Sequence, residues 1–293
     1  MLNISGLKLP MIGEHLVGGN VYFVDSGASG ANNGNLGVHP VNSPLATLAG
    51  GIAKCANDNG DFIVMMPGHA ETPTATVTID KSDVYIIGIG HGKNRPKFTF
   101  TMAATGDNFN ITADDVTIDN IYSVASGATQ TAIINVGAAQ FTLKNSLIEQ
   151  GANNLCAITL PATAINTLIL NNEFNITANG PDLCIDCESA TSAGTRVIGN
   201  YFNGMNDTNA WDTGCIYSNS ASLEWLVKDN VIVYGTGLIQ FTAATKGMII
   251  NNFLGEGTIN DALDPGSCMC FNNLEADAVD ETAAVWPTST AAA

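Results

Sequence analysis

Arg196 and Lys228 stand where a repeated pattern elsewhere places apolar side chains, with Glu173, Asp186 and Asp229 nearby as candidate partners. Cations and carboxylates so placed are the residue types from which a shared site could be built. Cys184-Ile-Asp-Cys187 has the spacing of a redox pair or of half a zinc site, but no second CxxC or histidine pair completes it. Gly90-His91-Gly92 and Asp114-Asp115 offer an imidazole and paired carboxylates. A glycosidase-type hydrolysis needs only two carboxylates at the right separation, and 27 acidic residues guarantee coincidental pairs. Asp25, Asn32, Asn33 and Asn35 are oxygen donors suited to calcium, but their spacing fits no calcium loop and reads as a surface loop. Weighed against structural roles, each set reads first as structure. The sequence assigns no catalytic, cofactor-binding or metal-binding residue.

The elements that would position these groups repeat along the chain. The segments are Val116–Asn120, Phe141–Asn145, Leu168–Asn172, Arg196–Asn200, Leu226–Asn230, Met248–Asn252 and Met269–Asn273. Relative to the closing Asn, positions −4, −2 and +2 are each apolar in six of the seven copies, and alternation at period two is the strand signal. Asn closes a strand well because it tolerates left-handed backbone. The asparagines follow one another at 25, 27, 28, 30, 22 and 21 residues, the period of stacked units that cannot bury an apolar face alone. Stacked Asn side chains satisfy one another's amides, which is a structural reason for the repeat. A second ladder (Ala132-Ile-Ile, Cys156-Ala-Ile, Cys184-Ile-Asp, Cys215-Ile-Tyr, Ile239-Gln-Phe) puts at least two strands in each turn. The 28-residue spacings of Cys156 and Cys184, and of Cys187 and Cys215, read as small hydrophobes stacked between rungs.

The expected organisation is an all-β solenoid over 21–274, flanked by an apolar arm over 1–20 and an acidic, Ala-rich tail over 275–293. Val21–Val24, Asp61–Pro67 and Val84–Gly88 read as early strands. A capping helix is expected near 44–57, opened by Ser43-Pro44 and stopped by Asn57-Asp-Asn-Gly60. The arm either closes the first rung or docks on a neighbour. The longest polar excursions are 102–113, 176–182 and 203–214.

Charge narrows the partners. The net charge is −17 with ten Lys plus Arg, so nucleic acid and anionic membranes are not expected partners. Polyanionic glycans would be repelled unless metal ions bridged them. No signal peptide and no membrane span is expected.

The runs Asp61–Glu71, Val77–Gly88 and Phe109–Asp119, with the later ladder, resemble right-handed parallel β-helix proteins of the pectin-lyase-like superfamily. The resemblance covers about residues 21–274, over which the seven Asn-marked strands and the two early strands at Asp61 and Val84 count about nine rungs. It spans polysaccharide lyases, esterases, polygalacturonases and phage virion proteins, among which fold does not choose. The order of Gly90-His91-Gly92 and Asp114-Asp115 is wrong for a polygalacturonase-like site. The expectation is a non-enzymatic phage virion protein: a homotrimer that needs no cofactor, decorating the outer capsid surface and contacting the major capsid protein. The alternative is a glycan-binding tailspike or head-spike, with or without depolymerase activity, for which Trp211 and Trp225 are candidate sugar platforms. A secreted polysaccharide lyase or hydrolase is the third class.

Overall fold

Each turn of the chain is three short strands separated by corners, and the corners decide where the strands stop. The computed structural model describes the chain except residues 1, 5–6, 10, 13–14, 17, 102–105, 126–129, 152–153, 179–180, 188–191, 206–209, 236, 242–244, 256–262, 277–282 and 287–293. The first sheet has ten parallel strands, from Val21–Val24 and Asp61–Met65 to Met269–Phe271. The second begins at Ala70–Glu71 and stacks through Tyr122–Ala125, Glu173–Ile176 and Tyr201–Asn203 to Asn273–Ala276. The third has eight, from Val77–Ile79 to Leu263–Pro265. The result is a parallel β-solenoid. Eight turns carry all three strands among the described residues, against the nine rungs expected. The second sheet follows the first across a corner so tight that the sequence merges the two, leaving its own ladder unread.

The core is one continuous apolar column. Ile134, Ile158, Ile185, Ile216 and Ile239 lie in register in the third sheet and are buried. Phe174 stacks on Phe202 with ring centroids 4.9 Å apart. No helix among the described residues is long and apolar enough to cross a membrane.

The register corrects the alignment of the repeats. Asn120 and Asn145 align with Asn171, Gly199, Asp229, Asn251 and Asn272, all with φ between 50° and 65°. The buried ladder lies one residue later: Ser146, Asn172, Asn200, Asn230, Asn252 and Asn273. Each of the four asparagines from Asn172 to Asn252 donates its backbone N–H to Oδ1 of the next, at 2.9 to 3.0 Å. Each also donates Nδ2 to the same oxygen and to a carbonyl such as Ile169 or Val197. At the other end Ser146 accepts from the Ile121 N–H and donates its own N–H to Asn172. The stacked-amide reading holds, with a left-handed corner residue preceding each buried amide.

The shift moves side chains between faces. In the first two copies Val116, Ile118, Phe141 and Leu143 point inward. In the last five the inward residues are those between, Ile169, Val197, Val227, Ile249 and half-buried Cys270. The positions −4 and −2 that looked like core are therefore outward there.

The helix is shorter than expected, Leu48–Ile52, and is capped by Thr47, whose Oγ1 accepts from the Gly50 N–H at 3.0 Å. Leu45 explains the shift from Ser43: its N–H donates to Phe23 and its carbonyl accepts from Asp25, which keeps Ser43-Pro44 out of the helix. Gly51 presses on the first turns, where a Cβ would meet Ile63 at 3.1 Å and Val24 at 3.2 Å. At the N-terminus Leu2–Ile4 pairs antiparallel with Leu7–Leu9, and Met11–Ile12 with His15–Leu16. Whether the arm caps or docks lies outside the described residues. At the other end the acidic tail contributes Ala283–Trp286, paired antiparallel with Asn273–Ala276, so the sheet continues beyond 274.

Candidate functional site

Because of the register shift, the outer face of the first sheet is apolar over its last five strands. Leu168, Leu170, Ile198, Leu226, Met248 and Ile250 are half-buried there, while Met269 and Phe271 are 57% and 47% exposed. Arg196 and Lys228 are the two cations on this face. They are one strand apart and two residues along, about 8 Å between Cα atoms from the strand spacings. Lys228 is engaged by Asp229, Nζ to Oδ2 3.3 Å. The other carboxylates proposed beside them do not converge. Glu173 opens a second-sheet strand, where its Oε1 accepts from Asn175 at 2.9 Å, and Asp186 lies in the third sheet.

Beside this face runs a groove of about 790 Å³. Its floor is Leu226, Met248 and Met269, and its rim carries Arg196, Glu224 and Lys246. Neither the Arg196 guanidinium nor the Lys246 ammonium forms a hydrogen bond or ion pair among the described residues. Sequence reading missed Lys246 and Glu224 because they sit at the corner before the strand, outside any alternating pattern. The signal that would find the corner is the column Asp83, Asp115, Gln140, Asn166, Gly194 and Glu224, all left-handed.

The remaining candidates are structural. Asp114 accepts from the Ala139 N–H at 2.8 Å and Asp115 bonds Gln140, so the pair builds a corner. His91 precedes the short 3-10 turn Gly92–Asn94. Asp25, Asn32 and Asn33 accept from backbone N–H groups and Asn35 donates to the Gly30 and Pro44 carbonyls, all within the 25–47 loop. No cluster of three or more His, Cys, Asp or Glu suited to a metal exists among the described residues. Cys184 and Cys187 are buried and form no disulfide. Cys184 aligns with Cys215, 31 residues on, rather than with Cys156, and Cys187 aligns with Ser218. Burial first, then the Cys215 contact, holds the Cys184 thiol well above its ordinary range.

Trp211 and Trp225 are no sugar platforms. Trp211 is fully buried, its Nε1 donating to Gln150 Oε1 at 2.8 Å, and Trp225 packs edge-on to Phe241. One arrangement unread in the sequence resembles a triad: buried His69 meets Glu71 Oε1 through Nε2 at 2.7 Å and accepts the Ser26 N–H on Nδ1 at 2.9 Å. The Ser26 hydroxyl, however, is bonded to the Ala70 backbone, and Glu71 also accepts the Leu48 N–H. These contacts tie the 25–47 loop and the helix to the first turns.

No protein-family model and no curated protein matches the sequence. Among solved structures the chain is similar to one described as rhamnogalacturonan lyase, with 14% identity over 87% of each chain and a TM-score of 0.51. It is also similar to "Geobacillus virus E2 - ORF18", with 12% identity over 78% of this chain and 56% of that one and a TM-score of 0.43. At 14% identity the likeness to the first of these bears on the fold alone, a parallel β-helix.

Proposed function

We propose that this protein is a non-enzymatic structural component of a phage virion: a homotrimeric β-helix that decorates the outer capsid surface and contacts the major capsid protein. The observation that supports this reading best is the outward apolar face of the first sheet. A stripe of half-buried aliphatics ending in exposed Met269 and Phe271 runs for about 20 Å along the coil, and such a face calls for a protein partner. Three rods turning this face toward one another cover it and leave an acidic exterior. Three linked feet then hold a shell more tightly than one, even where each contact is modest.

Quantitative mass spectrometry of purified particles tests the reading. The expected result is a copy number in fixed proportion to the major capsid protein. A few copies per particle overturn decoration in favour of a spike, and glycan-binding assays follow. Absence from particles overturns the virion reading.

A further inference from the structure

Among the described residues the side chains of Arg196 and Lys246 are unpaired, in a chain of net charge −17 that has only ten Lys and Arg. They flank the apolar floor of Leu226, Met248 and Met269. Lys246 lies two strands on from Arg196 and two residues before its register partner, which places their Cα atoms about 12 Å apart from the strand spacings. The complementary pattern occurs in this same chain. Between the antiparallel strands Asn273–Ala276 and Ala283–Trp286 the sequence is Asp277-Ala-Val-Asp280-Glu281-Thr, acids around a small apolar pair. The segment leaves the last turn of the coil, the end at which the groove lies. In an assembly whose rods run in the same direction, groove and segment therefore meet within a few rungs of one height.

We propose that the groove receives residues 277–281 of a neighbouring copy, with Asp277 and Glu281 answering Arg196 and Lys246 and Val279 on the Leu226–Met248–Met269 floor. The proposal rests on the self-assembly reading above and names its contact. Cations otherwise left beside an apolar strip then fix which copy sits where, since charge pairs set register and specificity across an interface.

Sedimentation equilibrium on the full chain tests it with four proteins: wild type, R196E/K246E, D277K/D280K/E281K, and all five substitutions together. The expected result is a wild-type trimer, each partial variant associating at least about tenfold more weakly with unchanged far-ultraviolet circular dichroism, and association restored in the combined variant. High salt weakens the wild-type trimer in the same direction. A trimer indifferent to both partial variants, or a combined variant no better than either, overturns the docking while leaving self-assembly intact. A monomeric wild type overturns self-assembly itself and the docking with it.

Discussion

Asn200 gives two hydrogen bonds to a single oxygen of Asn230, one from its backbone N–H at 2.9 Å and one from Nδ2 at 3.0 Å. Neither residue reaches solvent to any useful extent. Water therefore cannot replace a missing partner, and the cost of each orphaned group is its full desolvation.

Asn230→Ala strands the Asn200 backbone N–H and removes the amide that donates to the Val197 carbonyl, and should lower stability by about 3 kcal/mol in urea denaturation. Its counterpart is the left-handed residue just before a ladder amide. Asn251→Gly should change stability by less than about 0.5 kcal/mol, because glycine enters that conformation freely and Gly199 already occupies the equivalent corner. Similar losses at both sites would contradict the division of labour between the paired residues.

Trp211 closes the 203–214 excursion from inside the coil. Trp211→Phe keeps a ring against Phe202 but leaves Gln150 Oε1 without its donor, at a cost of about 1–2 kcal/mol. Trp211→Ala opens a cavity and should cost about 3–5 kcal/mol. Binding of any glycan found for this protein should be unchanged in the phenylalanine variant. A selective loss of binding would return Trp211 to the surface.

Ile249 and Ile250 are neighbours on opposite faces of one strand. Ile249→Glu buries an uncompensated carboxylate in the core and should abolish the cooperative thermal transition. Ile250→Glu places the charge on the outer face; it should keep the fold and lower the mass measured by light scattering. An oligomer unaffected by Ile250→Glu would mean that another flank carries the contact.

Alkaline pH should destabilise the coil. Burial first, then Asp61, pushes the Cys55 thiol up to about 12. Burial, then Cys270, pushes Cys268 to about 12, and burial pushes Cys270 to about 11. Burial with the Asp119 hydrogen bond raises Tyr85, and burial with Glu149 raises Tyr122. All of these groups hold their protons longer folded than unfolded. Their stabilisation is whole below the unfolded thiol value near 9 and is lost as pH rises toward 12. Calorimetry should record a Tm that falls from about pH 9 upward; a rise across that window would reverse the sign of the argument.

The fold was legible because a solenoid writes its period into the chain. The existence of the third-sheet ladder and the strands at Asp61 and Val84 were readable directly, whereas the ladder's register slips between Cys156 and Cys184 and between Cys215 and Ile239. The register was not, since Asn120 and Asn145 have the same residue type as the ladder while sitting one place before it. Only Ser146, a hydroxyl doing an amide's work, marks the true position. That single step turned Leu226, Met248 and Ile250 from core into surface. Arg196 and Lys228 consequently looked like intruders in a core rather than charges on an outer face. Lys246 was invisible because corners carry no alternation.

The amide ladder also has a direction. From Ser146 to Asn252 the backbone N–H of each ladder residue finds its acceptor on the side chain of the turn that follows it in the chain. A polypeptide emerging from the ribosome thus always carries one corner whose partner has not yet been made. Each new turn then supplies the side-chain oxygen that the backbone of the turn before it lacks.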